Sequence, residues 1–250
     1  MATRSAAAGM LAIAVLWSAT CTAAEPAGSW EHSVALGLNL TRGNSDTTLG
    51  NLAVKSAAAT ERTVVTLGLE GTYGKSRVEE DGVSLARTTA QNAKASANGK
   101  RMWDRRYAYL DGTLAHDRIA DVAYRMIVGP GAGYIVWQSD GMKLACEAGA
   151  GYLWEEVGDV RDHYPAFRFL ERWDWRITDT SASWQEIEYL PRADRFGEYL
   201  MRAEAGVEAA LNARVNLRCV LQAKYDSEPA EDQEREDVSL VAALAWKWKR

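Results

Sequence analysis

Two histidines are the residues best suited to acid–base chemistry. His116 directly precedes Asp117, His163 follows further along, and the chain also carries serines that could act as nucleophiles. A hydrolytic site of this kind needs a serine within hydrogen-bond reach of the base and a third group that orients the base. No marked serine motif accompanies either histidine. We therefore expect no catalysis and interpret both as residues near the rim of the fold, and we interpret His32 as an interfacial residue.

Two acidic segments could bind divalent cations. They are residues 78–81 ("VEED") and 227–237 ("SEPAEDQERED"), and carboxylate oxygens are the hard donors that such ions prefer. Neither has the spacing of an EF-hand, so solvated loops are the simpler interpretation. The sequence has no CxxC motif, no phosphate-binding loop and no metal-spaced His/Cys cluster, and we predict no cofactor or metal. Cys146 and Cys219 are interpreted as small apolar side chains rather than as a disulfide or metal pair.

The elements that position these residues are predicted to be β-strands. After Trp30 no segment has a convincing 3.6-residue period, whereas apolar and polar residues alternate repeatedly, which is the pattern of strands with one apolar face. In the first segment, Trp30, Val34 and Leu38 share one face, and Glu31 and Ser33 share the other. The twelve predicted segments are Trp30–Thr41, Thr47–Ala58, Thr63–Tyr73, Leu85–Asn98, Arg105–His116, Tyr124–Trp137, Lys143–Glu156, Tyr164–Thr178, Ser183–Leu190, Glu198–Ala210, Val215–Asp226 and Asp237–Trp248.

Strand length and connections favour a barrel that spans a membrane. The segments are long for a soluble sandwich and suit transmembrane strands, which need about 9–11 residues. The odd-numbered connections, which begin with "RGNSD" and include Gly74–Ser84 and Val157–His163, are on average longer and more charged than the even-numbered ones. Bacterial barrels have this asymmetry and an even number of strands. We predict an all-β, antiparallel up-and-down transmembrane β-barrel of about 12 strands; a soluble secreted barrel with inverted faces is the alternative.

Charged side chains on the polar rows are the candidate functional residues. A charge that faces hydrocarbon is costly, so these rows would face the lumen, where opposite charges can pair. The predicted lumen charge network consists of Glu147, Arg168, Arg172, Asp174, Arg176, Arg202, Glu204, Glu208 and Arg218. Such residues could line a pore or close it, and we expect a filled or very narrow lumen.

The beginning of the chain reads as a secretory signal peptide. Arg4 is the only charge before Glu25, Met10–Trp17 form a short apolar core, and small residues end at Ala24. This stretch is too short and wrongly flanked for a transmembrane helix. We predict a signal peptide over residues 1–24 and one barrel domain over residues 25–250. Without the signal peptide the chain has 28 Lys plus Arg and 34 Asp plus Glu, an acidic balance that gives no support to nucleic-acid binding.

Four motifs make the chain similar to a known family. They are Gly43–Gly50 ("GNSDTTLG"), His116–Tyr134 ("HDRIADVAYRMIVGPGAGY"), Glu147–Glu156 ("EAGAGYLWEE") and Tyr225–Pro229 ("YDSEP"). In this order and spacing the chain resembles the family of salt-induced outer-membrane proteins known as domain of unknown function 481, and the resemblance covers Trp30–Trp248. It implies an outer-membrane β-barrel whose biochemical activity is not established, with a link to salt or envelope stress.

These observations predict a non-enzymatic protein of the outer membrane of a Gram-negative bacterium, linked to salt, osmotic or envelope stress. The alternative functions are a narrow channel for ions or small solutes and a lipid-acting hydrolase. We expect a monomer that contacts outer-membrane lipid and lipopolysaccharide and is inserted by the barrel-assembly machinery, with no nucleic-acid partner.

Overall fold

A computed structural model of the chain describes residues 29–41, 46–80, 83–231 and 233–249. The predicted signal peptide and residues 42–45 of the first connection lie outside the described residues. The strands are β1 (Trp30–Thr41), β2 (Asp46–Ala59), β3 (Thr63–Glu80), β4 (Val83–Trp103), β5 (Arg106–Asp117), β6 (Val122–Gln138), β7 (Met142–Val157), β8 (Val160–Arg176), β9 (Ser181–Pro191), β10 (Tyr199–Ala210), β11 (Val215–Asp226) and β12 (Glu236–Lys249). No helix among the described residues is long and apolar enough to cross a membrane.

The strands close into one antiparallel barrel. Each strand pairs with the next along the chain, and β1 pairs with β12 from Glu31↔Lys249 to Gly37↔Ala243. Closure suits a sheet in hydrocarbon, because no water is available there to bond free N–H and C=O groups. One end of the barrel, here called the turn side, carries residues 60–62, 104–105, 139–141, 177–180 and 211–214. The other end, here called the loop side, carries residues 118–121, 158–159, 192–198, 227–231 and 233–235 among its connections.

Apolar side chains cover the outer surface, and polar side chains fill the interior. Leu38 and Val238 are 67% and 61% exposed on the outer face, whereas Glu204 and Gln222 are 3% and 2% exposed on the inner face. A soluble barrel would have the opposite arrangement, since it buries its apolar rows. The predicted antiparallel transmembrane barrel of twelve strands is confirmed, and the soluble alternative is wrong.

Two of the predicted loops are largely strand. β3 continues to Glu80 and β4 begins at Val83, so the ladder runs through most of the predicted Gly74–Ser84 connection. In the predicted Val157–His163 connection, β8 already begins at Val160. The prediction failed because charged residues end the apolar alternation, whereas hydrogen bonding between strands continues beyond the apolar band.

Aromatic rings mark both margins of the apolar band. On the turn side, His32 lies 6.2 Å from Trp30 and 5.5 Å from Trp248 between ring centroids. On the loop side, the rings of Tyr199 and Tyr225 stack at 5.4 Å. Such belts are typical of the two membrane–water interfaces, and this arrangement places His32 in the turn-side belt.

Candidate functional site: the charged lumen

Part of the inner wall is built from tyrosine rings that lie on glycines. Tyr107 and Tyr109 on β5 face the lumen and are 5% and 4% exposed. On the adjacent β6, a Cβ at Gly133 would lie 2.2 Å from the Tyr107 ring, and a Cβ at Gly131 would lie 2.2 Å from the Tyr109 ring. The missing side chains therefore let both rings lie flat against the wall. This packing is a structural reason for the "GPGAG" sequence of β6.

Glu147 collects three donors in the lumen. Its carboxylate lies 2.5 Å from Lys100 Nζ and 2.8 Å from Arg168 Nη1, and it accepts a hydrogen bond of 2.8 Å from Tyr107 Oη. The Glu147 side chain is 2% exposed, and Arg168 also reaches Glu188 at 2.7 Å. Because Lys100 is on β4 and Glu188 on β9, the cluster links walls that are not adjacent in the barrel. A buried charge of this kind depends on its partners.

A second cluster lies on β8, β9 and β10. Arg172 Nη1 is 2.8 Å from Glu186, and Arg172 Nη2 is 2.7 Å from Asp174. Glu186 also lies 3.1 Å from Arg202, so one carboxylate holds two guanidinium groups. The side chains of Arg172 and Glu186 are only 10% and 11% exposed. Water therefore screens this cluster little, and its members hold one another in place.

Glu204 binds mainly neutral donors. It accepts hydrogen bonds of 2.8 Å from Trp184 Nε1 and 3.1 Å from Gln222 Nε2, and Arg202 lies 4.0 Å away. The Trp184 ring lies on Gly206, where a Cβ would be 2.0 Å from the ring. The aromatic-on-glycine packing of β5 and β6 thus recurs on β9 and β10, and here it aims the indole N–H at a carboxylate.

The lumen near the turn side holds a third charged cluster. Glu208 on β10 pairs with Arg218 on β11 and with Lys247 on β12, and it accepts a hydrogen bond from Asn216. These contacts tie three successive strands together near the seam where β12 meets β1.

A fourth cluster crosses the lumen near the loop side. Arg125 on β6 lies 2.5 Å from Glu155 on β7 and 2.9 Å from Asp226 on β11. The hydroxyl of Tyr164 donates to Glu155 at 2.8 Å. Since β6 and β11 are on opposite sides of the ring of strands, the Arg125–Asp226 pair spans the barrel.

Arg192 organises the 192–198 connection at the loop-side rim. Its guanidinium lies 3.6 Å from the centroid of the Tyr164 ring, 2.6 Å from Asp162 and 3.1 Å from Asp194. The hydrogen bond from Arg192 holds the pKa of Asp194 below its ordinary value. This rim contact connects the 192–198 loop to the barrel wall.

The lumen contains a wide and a narrow space. The wide space, here called the vestibule, has a volume of about 770 Å³ at the loop side and is lined by Asp117, Lys224 and Asp226 among others. The narrow space has a volume of about 110 Å³, and its lining includes Arg172 and Glu186. Six charged residues line both spaces and are here called the floor of the vestibule: Glu70, Lys94, Asp111, Arg168, Glu188 and Arg202.

The predicted network residues divide into two groups. Eight line the interior: Glu147, Arg168, Arg172, Asp174, Arg202, Glu204, Glu208 and Arg218. The ninth, Arg176, is exposed at the turn-side end of β8, where it donates to the backbone carbonyl of Asp140. Its position in the alternation is the same as that of Arg172, but the barrel wall ends there.

Sequence reasoning left several lumen residues out of the network. Glu155 is an even number of residues from Glu147 on the same strand, so the alternation could have identified it. Glu186 lies in the predicted segment Ser183–Leu190, whose alternation is irregular, and no comparable signal marked it. Arg125 was missed because its partner Asp226 is distant in sequence, and the sequence does not show which strands face each other.

The structure does not place His116 or His163 beside a serine. The His116 ring nitrogen Nδ1 lies 2.9 Å from the carbonyl oxygen of Ala123, and the His163 ring lies 6.0 Å from that of Tyr152. Within the described ranges neither histidine hydrogen-bonds to a serine. In the part of the chain that the structure covers, no group of three or more His, Cys, Asp or Glu residues is placed to hold a metal ion.

Both cysteines of the barrel, Cys146 and Cys219, are free thiols, and Cys146 is exposed.

Comparisons with known proteins bear on the fold and the family. The model of a family described as "Protein of unknown function, DUF481" matches residues 34–248. The COG4313 outer membrane channel from Pseudomonas putida F1 is 11% identical, with 93% of this chain and 100% of that chain covered and a TM-score of 0.54. The translocator domain of the autotransporter NalP from Neisseria meningitidis is 11% identical, with 88% and 87% covered and a TM-score of 0.46. Comparison with curated protein sequences gives no match. At such identities, the likeness to the channel supports the barrel fold.

Proposed function

The chain belongs to the DUF481 family, whose model spans most of it, and from this premise we propose that it is an outer-membrane barrel of a Gram-negative bacterium that conducts ions and small solutes through a narrow pore. The observation that carries the proposal is the continuity of the lumen lining. The vestibule of about 770 Å³ and the narrow space of about 110 Å³ share the charged floor residues. A polar path of this shape admits small hydrated species and resists larger ones.

The ion-pair clusters set the width of this path. Arg172 and Glu186 line the narrow space and hold each other at 2.8 Å, and the Glu147–Lys100 pair joins β7 to β4 at 2.5 Å. Long charged side chains that bind each other across a lumen occupy space that water would otherwise fill. If these charged side chains exchange one ion-pair partner for another, small ions pass without a movement of the backbone.

Conductance across planar lipid bilayers tests the pore. We expect small, discrete openings from the purified barrel, and larger ones from an Arg172→Ala/Glu186→Ala variant, in which the narrow space is widened. Arg195→Ala is the matched control, because Arg195 is 59% exposed on the 192–198 connection and should leave conductance unchanged. Background conductance from both the wild-type protein and the double variant would refute the channel.

Placement in the membrane is tested separately. A barrel that remains closed in detergent should migrate faster on a gel before boiling than after it, and it should resist extraction of the membranes with carbonate. Carbonate-soluble protein without a mobility shift would refute the membrane assignment. The proposal includes a monomer in contact with lipid and lipopolysaccharide and insertion by the barrel-assembly machinery. A role in salt or envelope stress is tested by the salt tolerance of a deletion strain.

One observation favours a second candidate, hydrolysis of phospholipid. His32 Nδ1 lies 2.9 Å from Ser56 Oγ at the turn-side belt, so a base and a hydroxyl are within reach of lipid. No described carboxylate contacts the His32 ring, and a nucleophilic site needs a group that orients its base. We therefore prefer the channel, and we expect Ser56→Ala and wild-type barrels to release equally little fatty acid from phospholipid vesicles.

A further inference from the structure

Residues 226–231, here called the strap, leave the end of β11 at the loop-side mouth of the vestibule. The strap begins within the Tyr225–Pro229 motif of the sequence. Its residues Asp226, Pro229 and Ala230 line the vestibule. The strap therefore forms part of the boundary of this space at its loop-side end.

Hydrogen bonds to β10 fix the first residues of the strap. The Ser227 amide donates to the carbonyl oxygen of Tyr199 at 3.1 Å, and the Tyr199 amide donates to Ser227 Oγ at 2.7 Å. These bonds continue the β10–β11 ladder by one pair beyond Leu200↔Asp226. Ser227 is 8% exposed, so the strap has a firm root at this position.

The Asp226 carboxylate directs the strap as it leaves the root. Its Oδ2 lies 2.9 Å from Arg125 Nη2 on β6, across the lumen, and its Oδ1 accepts a hydrogen bond of 3.0 Å from the Glu228 amide. A carboxylate that accepts from a backbone N–H forms one of the stronger kinds of hydrogen bond. Because Arg125 fixes the carboxylate, the carboxylate in turn fixes the direction of the chain at Glu228.

The far end of the strap lies against the β7–β8 turn. A Cβ at Gly158 would lie 3.6 Å from the Ala230 Cβ, and the Gly158 amide donates to the carbonyl oxygen of Asp121 at 2.8 Å. The strap thus meets a place where the connections 158–159 and 118–121 already contact each other. Since three strands separate β7 from β11 in the ring, the chain crosses part of the mouth to reach this turn.

Between its root and this contact the strap is loosely held. Within the described part of the chain, the side chains of Glu228, Pro229 and Glu231 form no hydrogen bond or ion pair, and Glu228 and Glu231 are exposed. Ala230 brings a single methyl group to the β7–β8 turn. Segments with so few buried contacts open at a low cost in free energy.

We propose that the strap is a lid on the loop-side mouth of the vestibule, with its hinge at Ser227. Two contacts hold it closed: the Asp226 carboxylate on the Glu228 amide, and Ala230 on the turn at Gly158. When both are lost, the strap moves away from the mouth and solutes enter the vestibule. The narrow space of about 110 Å³ limits entry from the turn side, so the strap determines how fast a bulky molecule arrives. The inference goes beyond the proposed pore, because a lid controls entry whether or not the barrel conducts.

Entry of a bulky thiol reagent tests the lid on the detergent-solubilised barrel. Ala115→Cys places a reporter thiol on the vestibule wall, and Cys146→Ala with Cys219→Ala removes the native thiols of the barrel. Peptide mass spectrometry follows the reaction of the reporter with fluorescein maleimide. Asp226→Ala should raise its rate about tenfold, the effect expected for the loss of one charge-assisted hydrogen bond. Asp194→Ala is the matched control, since it removes a loop-side ion pair of 3.1 Å outside the strap and should leave the rate unchanged.

A disulfide tests the closed position directly. The separation of 3.6 Å at Gly158 and Ala230 suits a disulfide, whose Cβ atoms are roughly 3.5–4.5 Å apart. Gly158→Cys/Ala230→Cys should therefore cross-link under oxidation in the reporter barrel. The cross-link should slow labelling at residue 115 at least about tenfold, also in the Asp226→Ala variant, and reduction should restore the rate. The single cysteine variants control for the strain of a side chain at Gly158, where φ is +51°.

The two arms give the proposal separate chances to fail. A labelling rate that neither Asp226→Ala nor the cross-link alters would overturn the lid, and a folded barrel that forms no cross-link would contradict its closed position. The gel shift on boiling verifies that each variant is folded. Labelling does not require conduction, so a barrel whose strap controls labelling but which shows no conductance retains the lid and loses the channel.

Discussion

Replacing Glu147 with alanine should destabilise the barrel by about 3–5 kcal/mol, the usual cost of removing one partner from a buried ion pair. Lys100 and Arg168 would lose their shared carboxylate, which lies 2.5 and 2.8 Å from them, and Tyr107 would lose its acceptor. Arg168 would retain Glu188 at 2.7 Å. Lys100 would lose its 2.5 Å contact with this carboxylate, so part of the loss should come from this side of the cluster.

A glutamine variant separates the effect of losing the Glu147 charge from the effect of losing its side-chain shape. Glu147→Gln keeps one carbonyl acceptor but places an amide donor near the Lys100 ammonium or the Arg168 guanidinium. Its cost should be about 1–3 kcal/mol, since a buried charged partner is then left poorly satisfied. In a Glu147→Ala/Lys100→Ala double variant the ammonium group that paired with the missing carboxylate is gone as well, so the double variant should be less destabilised than the sum of the single variants.

Equilibrium unfolding by urea in detergent micelles, followed by tryptophan fluorescence, measures these differences. The matched control is Glu156→Ala, which removes an ion pair of similar length, 2.8 Å, whose Arg161 side chain is 76% exposed. That change should cost less than about 1 kcal/mol, because surface pairs contribute little. The reasoning is refuted if Glu147→Ala and Glu156→Ala lower the free energy of unfolding by the same small amount.

Four further outcomes are expected. Gly133→Ala should destabilise the barrel by about 1–3 kcal/mol, since its Cβ would lie 2.2 Å from a tyrosine ring. The control Gly99→Ala has nothing within 4 Å of the added atom and should change the free energy of unfolding by less than about 0.5 kcal/mol. Equal effects of the two variants in urea unfolding would contradict this. Cys146, exposed on the outer face, should react in membranes with a lipid-soluble maleimide but not with a charged thiol reagent, and labelling by the charged reagent would place it in water. The pKa of Asp194 is lowered in the fold by its hydrogen bond from Arg192, so this contact stabilises the 192–198 connection above a pH of about 4 and is lost as the pH falls further. Amide exchange in this loop, corrected for its intrinsic rate, should then accelerate. A corrected rate that stays constant would count against the contact. Glu171→Leu should raise the free energy of unfolding in lipid vesicles by about 1–2 kcal/mol, because a carboxylate on the lipid face is unfavourable; a decrease would indicate that Glu171 has a partner.

Period-two alternation was sufficient to predict the barrel and the inward direction of Arg168, Arg172 and Glu204. Side-chain direction depends only on parity along a strand, which the sequence contains. The height of a residue and its neighbours across the lumen depend on register and strand stagger, which only closure of the sheet determines. For this reason the Arg125–Asp226 pair was not predictable from the chain alone.

Glu171 shows what happens when local preference and register conflict. It lies on the outward row of β8, opposite Cys146 on β7 and Ile187 on β9, although its charge favours the lumen. The β8–β9 ladder is continuous from Phe169 to Arg176, with no bulge that could turn the side chain. A shift by one residue would bring Glu171 inside but would turn every other residue of the strand as well, including Arg172 with its two buried ion pairs. One carboxylate at the lipid face costs at most about 2–4 kcal/mol. Exposing Arg172 to hydrocarbon and leaving its carboxylate partners unpaired would cost more. The register of the strand therefore overrides the preference of Glu171 for the lumen.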